Sequence, residues 1–204
     1  MLSISDLSCT RGDKQLFSGV SFSLQSGEWM HLEGANGVGK TSLLRIVAGL
    51  TQPLEGRITW KDQSIYTEAD AYRTELLYIG HVLALKDDMS ALENLQADAA
   101  IAGRELDQAK AMEALAGLGL RGRSRLPVRV LSQGQKRRAA LARLMTSPAK
   151  LWVLDEPFVA LDIQAQQLIH DVISKHVQQG GIALLTSHQA VTLSGTGRTY
   201  RLNA

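Results

Sequence analysis

Two rhythms of hydrophobic and polar residues divide this chain. Residues 2–8 and 20–24 alternate apolar with polar, the period of half-buried antiparallel strands, and Arg11, Gly12, Asp13 and Lys14 make a turn between them. Residues 56–60 read as a further strand. Short apolar runs then recur at 29–32, 76–79, 151–154 and 182–185, as expected of strands buried on both faces of a parallel sheet. Helical spacing links them. It is carried by Leu43, Leu44, Ile46, Val47 and Leu50, by Ala-rich segments around Leu92, Leu95 and Ile101 and around Met112, Leu115 and Leu118, and by Ala139, Leu141, Ala142 and Leu144. A last stripe, Ile163, Leu168, Ile169, Val172 and Ile173, is expected to face the core, with Asp162 as its cap and Gly180-Gly181 as its end. The remainder, through Tyr200 and Leu202, reads as a short helix and strand. The pattern is α/β, with a small β layer near the start and a helical insertion before residue 135. That insertion fits a packing lobe and a docking surface equally well.

Between the run at 29–32 and the first helix lies Gly34-Ala35-Asn36-Gly37-Val38-Gly39-Lys40-Thr41, which reads G-x-x-x-x-G-K-T. Such a loop lets successive backbone N–H groups converge on phosphate oxygens while the following helix points its positive end at the same charge. Lys40 adds a point charge for the β- and γ-phosphates, and Thr41 offers a hydroxyl to Mg²⁺. A glycine-rich turn with no ligand is the plainer account. The strand before it and the helix after it favour phosphate binding.

The run at 151–154 ends in Asp155 and Glu156. Carboxylates at the end of a buried strand are costly unless paired or metal-bound, and the carboxyl ends of a parallel sheet are where ligands bind. Asp155 suits a Mg²⁺ ligand, direct or through a neighbour, and Glu156 suits the group that polarises an attacking water. His188 ends the next run and so falls on the same side. Ser132 and Gln135 fit a capping box, which by itself explains a well-started helix; with Gly134 permitting close approach, the same N-terminus is also an anion site. Arg121, Arg123, Arg125 and Arg129 fit a solvated loop better than the lining of an extended segment.

Composition narrows the picture modestly. The chain has 204 residues, 45% of them hydrophobic and 21% charged, which suits one globular domain with a sizeable core. A net charge of +2 and the lack of a basic tract give no argument for a nucleic-acid partner, and none is expected. The lone Cys9 excludes an intramolecular disulfide and a multi-cysteine metal site. With no basic-then-apolar leader at the N-terminus and no long apolar run, direct membrane insertion is not expected.

In order, the glycine-rich loop, residues 131–135, residues 151–156, Ala160-Leu161-Asp162 and Ser187-His188 resemble the nucleotide-binding subunit of ABC transporters over nearly the whole chain. The resemblance implies a P-loop NTPase (RecA-like) core with an antiparallel β subdomain and an α-helical subdomain inserted at about residues 83–135 of a single ABC ATPase domain, 1–204. It implies ATP and Mg²⁺ as cofactors. Gly34, Asn36, Gly37, Gly39, Lys40, Thr41 and Ser42 would hold the nucleotide, Thr41 and Asp155 the Mg²⁺, with Glu156 as catalytic base and His188 on the γ-phosphate. Ser132, Gly134 and Gln135 would face the ATP of an opposite subunit, and Asp162 would supply the D-loop acid. With one P-loop and one signature, the chain would hydrolyse ATP only as a homodimer, attached to integral membrane subunits at the cytoplasmic face of the bacterial inner membrane.

Two positions depart from the family pattern. Where an aromatic ring usually stacks on adenine, only the Arg11 guanidinium is available, and Val82 stands where a glutamine is expected, with His81 as its polar neighbour. Within the family, residues 27–37, 77–81 and 91–95 look like the ATPases of bacterial cytochrome c maturation, whose complexes are described as haem exporters. No Cys-x-x-Cys-His occurs, so the residues themselves do not point to haem. An ATPase of another small exporter, or a soluble ABC ATPase acting on nucleic acid or ribosomes, are the other readings, the last disfavoured by the chain's length.

Overall fold

The computed structural model describes residues 1–203. They form two compact units: residues 1–80, 149–157 and 173 onward make the first, and residues 81–148 and 158–172 the second.

The first unit holds two sheets. The hairpin β1 (Leu2–Arg11) and β2 (Lys14–Leu24) turns on Gly12 and Asp13, and Gly12 takes the positive φ of 59° that a tight turn requires. The strands run longer than their alternating segments. β1 loses its alternation because the register shifts between Ile4 and Leu7, with Asp6 at φ 51°; a bulge there turns Leu7, Ser8 and Cys9 inward together. With β4 (Glu55–Trp60) and β5 (Gln63–Ser64) they form an antiparallel sheet in the order β2-β1-β4-β5.

The second sheet is parallel throughout and contains the four apolar runs. Its order is β6-β7-β8-β3-β9, built from β3 (Glu28–Glu33), β6 (Leu76–Ile79), β7 (Leu151–Leu154), β8 (Ile182–Thr186) and β9 (Thr196–Arg201). Every residue of β7 and β8 is buried, as central strands covered on both faces must be. One core joins both sheets to α1 (Lys40–Val47), with Leu2, Phe17, Leu43, Ile46, Leu151 and Leu184 among its members. Residues 61–75, which carry no apolar periodicity, hold α2 (Ala69–Glu75), anchored by buried Tyr72, whose hydroxyl donates to the Val47 carbonyl at 2.6 Å. The chain's finish contains β9 but, among the described residues, no helix: glycine, serine and threonine dominate residues 192–199 and leave too little apolar surface to seat one.

The second unit is helical: α3 (Ala91–Ile101) packs on α4 (Gln108–Gly117) and α5 (Gln133–Leu141), and α6 (Arg143–Thr146) on α4 and α5. The helix expected to run on to Pro148 is broken at Ala142 into α5 and α6. The arginine-rich stretch is solvated turn, with Arg129 pairing with Asp88 at 2.6 Å beside a short 3-10 turn, Val128–Val130. Ile163, expected in the core stripe of the last helix, is not in the core, and Ile101 is exposed too. Ile101, at the last turn of α3, and Ile163, at the first turn of α7 (Ile163–Gln178), are 89% and 84% exposed. The buried stripe of α7 is Ala165, Ile169, Ile173 and Val177, four residues apart, and Ile163 lies off that face.

Candidate functional site

The parallel sheet delivers three chemically useful strand ends to the P-loop. Residues 34–39 leave β3 and enter α1, and Gly39 caps the helix at φ 108°, where an added Cβ would press to 3.0 Å from the buried Phe17 ring. Among the described residues no side chain caps the first turn of α1 at Gly39, which leaves that N-terminus without a side-chain acceptor, as an anion-binding helix start requires. Lys40 Nζ donates to the Gly34 and Ala35 carbonyls, at 2.7 and 3.2 Å, which folds its charge over the loop. Asn36, Gly37 and Thr41 are exposed, while Ser42 is half-buried.

At the end of β7, Asp155 is 2% exposed and its backbone N–H bonds to the Ile79 carbonyl of β6. Its carboxylate is held on both sides: Thr41 Oγ1 donates to Oδ2 and Thr186 Oγ1 to Oδ1, each at 2.8 Å. Glu156 follows with a left-handed backbone, φ 52°, and its N–H donates to Thr186 Oγ1 at 2.9 Å. The Glu156 carboxylate lies 3.7 Å from His188 Nε2, and the His188 ring is largely exposed. These oxygens are hard donors of the kind Mg²⁺ takes, and the Thr41–Asp155 pair has the composition of a P-loop Mg²⁺ site. Tyr78, half-buried on β6, has its phenol pushed up by burial first and by the Asp155 carboxylate second, which keeps it protonated.

Thus Lys40, Thr41, Asp155, Glu156 and His188 come together within one unit. Ser132, Gly134, Gln135 and Asp162 belong to the other, and there the predicted local chemistry is present. Ser132 and Gln135 form a reciprocal capping box at the start of α5, and a Cβ at Gly134 would come to 3.0 Å from the Ala160 carbonyl. Asp162 caps α7 through Ala165 N at 2.8 Å and pairs with Arg138. Arg11 is exposed at the end of β1 and Phe17 is fully buried, so the hairpin presents a guanidinium rather than a ring. Val82 is 83% exposed.

Two residues beside this site went unassigned in the sequence. Thr186 closes an otherwise apolar run, and His31 interrupts another. A buried polar group needs partners, and that rule was the available signal. His31 is buried, with Nε2 donating to the Ser187 carbonyl at 3.1 Å and Nδ1 lying 3.4 Å from Glu33 Oε1.

A glycine loop opening an uncapped helix, with a hydroxyl-clamped aspartate and a glutamate at the adjoining strand end, defines a P-loop nucleoside triphosphatase. Residues 17–159 match the ABC transporter family. The cytochrome c biogenesis ATP-binding export protein CcmA of Dechloromonas aromatica is 49% identical over 99% of this chain and 100% of its own. That of Escherichia coli K12 is 44% identical over 95% and 92%. Among solved structures, an ABC transporter ATP-binding protein from Pyrococcus furiosus superposes with a TM-score of 0.85 at 25% identity, covering 98% of this chain and 96% of that one. A dimeric ATP-binding cassette bound to ADP and Pi gives 0.81 at 21% identity, covering 93% and 88%. This chain belongs to the ABC transporter family, as an ATP hydrolase of that type. Among the described residues no helix is long and apolar enough to cross a membrane.

Proposed function

We propose that the chain is the ATP-hydrolysing motor subunit of an ABC export complex that serves cytochrome c biogenesis, with haem as the cargo. The observation that carries this is the identity of 44–52% with export proteins of that name over nearly the whole chain. The motor is a homodimer at the cytoplasmic face of the bacterial inner membrane, bound there by integral membrane subunits.

In this reading the amides of Gly34, Asn36, Gly37 and Gly39, with Lys40, Thr41 and Ser42, hold the phosphates of ATP. Thr41 Oγ1 and Asp155 would hold Mg²⁺, which would supply positive charge to offset that of the phosphates during transfer. Thr41 Oγ1 can offer a lone pair to the metal while keeping its own proton directed at Asp155 Oδ2, so the 2.8 Å bond need not break. Glu156 takes the proton of the attacking water as its oxygen bonds to the γ-phosphorus and the β–γ bridging bond breaks, releasing ADP and phosphate. His188, within reach of Glu156, meets the γ-phosphate oxygens. Ser132, Gly134 and Gln135 act on the ATP held by the partner copy, with Asp162 at the same seam. Neither helix N-terminus alone supplies enough donors for a triphosphate, so ATP cements the dimer and hydrolysis loosens it.

Removing the chain from its host while assaying covalent haem on c-type cytochromes tests the reading. Loss of haem-loaded cytochromes, restored by the native chain and not by Lys40→Ala, is the expected result. Normal cytochrome c levels would overturn the cargo assignment, and recovery of the tagged chain free of membrane subunits would overturn the export complex.

A further inference from the structure

Thr186 makes contacts that no simple strand residue requires. Its side chain is 0% exposed at the last position of β8, opposite the turn between Asp155 and the residue after it. A hydroxyl has one proton and two lone pairs. Here the proton goes to Asp155 Oδ1 at 2.8 Å, and a lone pair receives the Glu156 N–H at 2.9 Å. One oxygen therefore ties the side chain of one site acid to the backbone of the next.

Both ties bear on geometry that chemistry would feel. Asp155 receives its other hydroxyl from Thr41, so the two bonds, one from α1 and one from β8, fix the plane of the carboxylate. Glu156 sits in the left-handed region at φ 52°, a conformation that persists in a non-glycine residue only when its surroundings hold it. The bond from its N–H to Thr186 restrains that backbone at the point from which the Glu156 side chain departs.

We infer that Thr186 is a positioning residue for ATP hydrolysis, which orients the Asp155 carboxylate toward the metal and the Glu156 carboxylate toward the attacking water. The inference rests on the roles proposed above for Asp155 and Glu156. Being fully enclosed, Thr186 touches neither nucleotide nor water and acts only through these two residues. A threonine that merely filled the end of a strand would affect stability alone.

The test uses the purified chain carrying Thr186→Val, which keeps the shape and deletes the hydroxyl, beside Thr186→Ser, which keeps the hydroxyl. ATP turnover is followed across a Mg²⁺ titration, with thermal midpoint and hydrogen exchange at the Glu156 amide measured in parallel. Thr186→Val is expected to lower kcat by roughly 10- to 100-fold and to raise the half-saturating Mg²⁺, while KM for ATP moves less than about threefold. Thr186→Ser is expected to recover both to within about threefold of the native protein. Native kcat and Mg²⁺ response in Thr186→Val, or equal impairment in Thr186→Ser, overturns the inference. A native chain that turns over no ATP overturns the functional reading instead, and amide exchange then decides the geometry: faster exchange at Glu156 in the valine variant alone supports the tie, and unchanged exchange removes it.

Discussion

Thr41 and Asp155 lie 114 residues apart in sequence and share a hydrogen bond of 2.8 Å between hydroxyl and carboxylate. The bond joins the first turn of α1 to the end of β7, and so ties the glycine-rich loop directly to the strand-end acid. Thr41→Val should raise the half-saturating Mg²⁺ for ATP turnover by roughly 10- to 100-fold, because it deletes the hydroxyl proposed as a metal ligand and the partner of the Asp155 carboxylate together. Thr41→Ser should stay near native. A Mg²⁺ titration of the steady-state rate checks both.

Glu156→Gln should bind ATP as the native protein does and lose at least about 100-fold in kcat, since an amide accepts no proton from water. Held in the pre-hydrolysis state, the variant should elute as a dimer in ATP and as a monomer without it. Hydrolysis at the native rate would remove Glu156 from the role of base.

Lys40→Ala should act on binding itself. Its ammonium group rests on the Gly34 and Ala35 carbonyls, poised over the loop, and its loss removes a charge-assisted contact worth about 1.5–3 kcal/mol. Direct titration should show a Kd for ATP raised by roughly 10-fold or more.

A structural prediction concerns pH. His176 on α7 stacks on Trp152 of β7 with ring centroids 3.7 Å apart, and burial, the largest influence on it, brings its pKa down to about 4. The unfolded chain takes up a proton near pH 6.5 that the folded chain refuses until about pH 4. The stabilising contribution is therefore complete above about pH 6.5 and falls as pH drops toward 4, by at most about 1.4 kcal/mol per pH unit. Urea midpoints at several pH values should show this slope, and His176→Phe should flatten it. Gly181→Ala should destabilise as well, because a Cβ there overlaps the His176 ring.

Ser132→Ala should cost about 1 kcal/mol, through loss of the bond from Gln135 N at the start of α5. If Ser132 also faces a partner's ATP, turnover should fall further than unfolding explains. Activity measured per folded molecule separates the two effects.

Much of this was legible before any coordinates. The four apolar runs all became strands of the parallel sheet, β7, β8 and β3 inside it and β6 at its edge, because strands covered by a layer on each face are largely apolar, a demand few other elements share. The loop at 34–41 and the box at Ser132 and Gln135 were equally plain, since their chemistry is local to a few consecutive residues. Ile163 misled because periodicity names a face without saying whether anything covers it at the end of a helix. The residues of α2 gave no warning, as only Tyr72 there is buried.

The sequence by itself determined which residues can hold phosphate, metal and water, for those capacities reside in side chains and short loops. It could not decide which atoms meet. That Thr41, Asp155 and Thr186 form one hydroxyl–carboxylate–hydroxyl chain depends on α1, β7 and β8 being brought to the same edge, across separations of 114 and 31 residues. Only the sheet's strand order, with β7 beside β8 and β8 beside β3, closes those distances. Hydrogen bonds act over about 3 Å, so their partners are settled by tertiary packing and not by spacing along the chain.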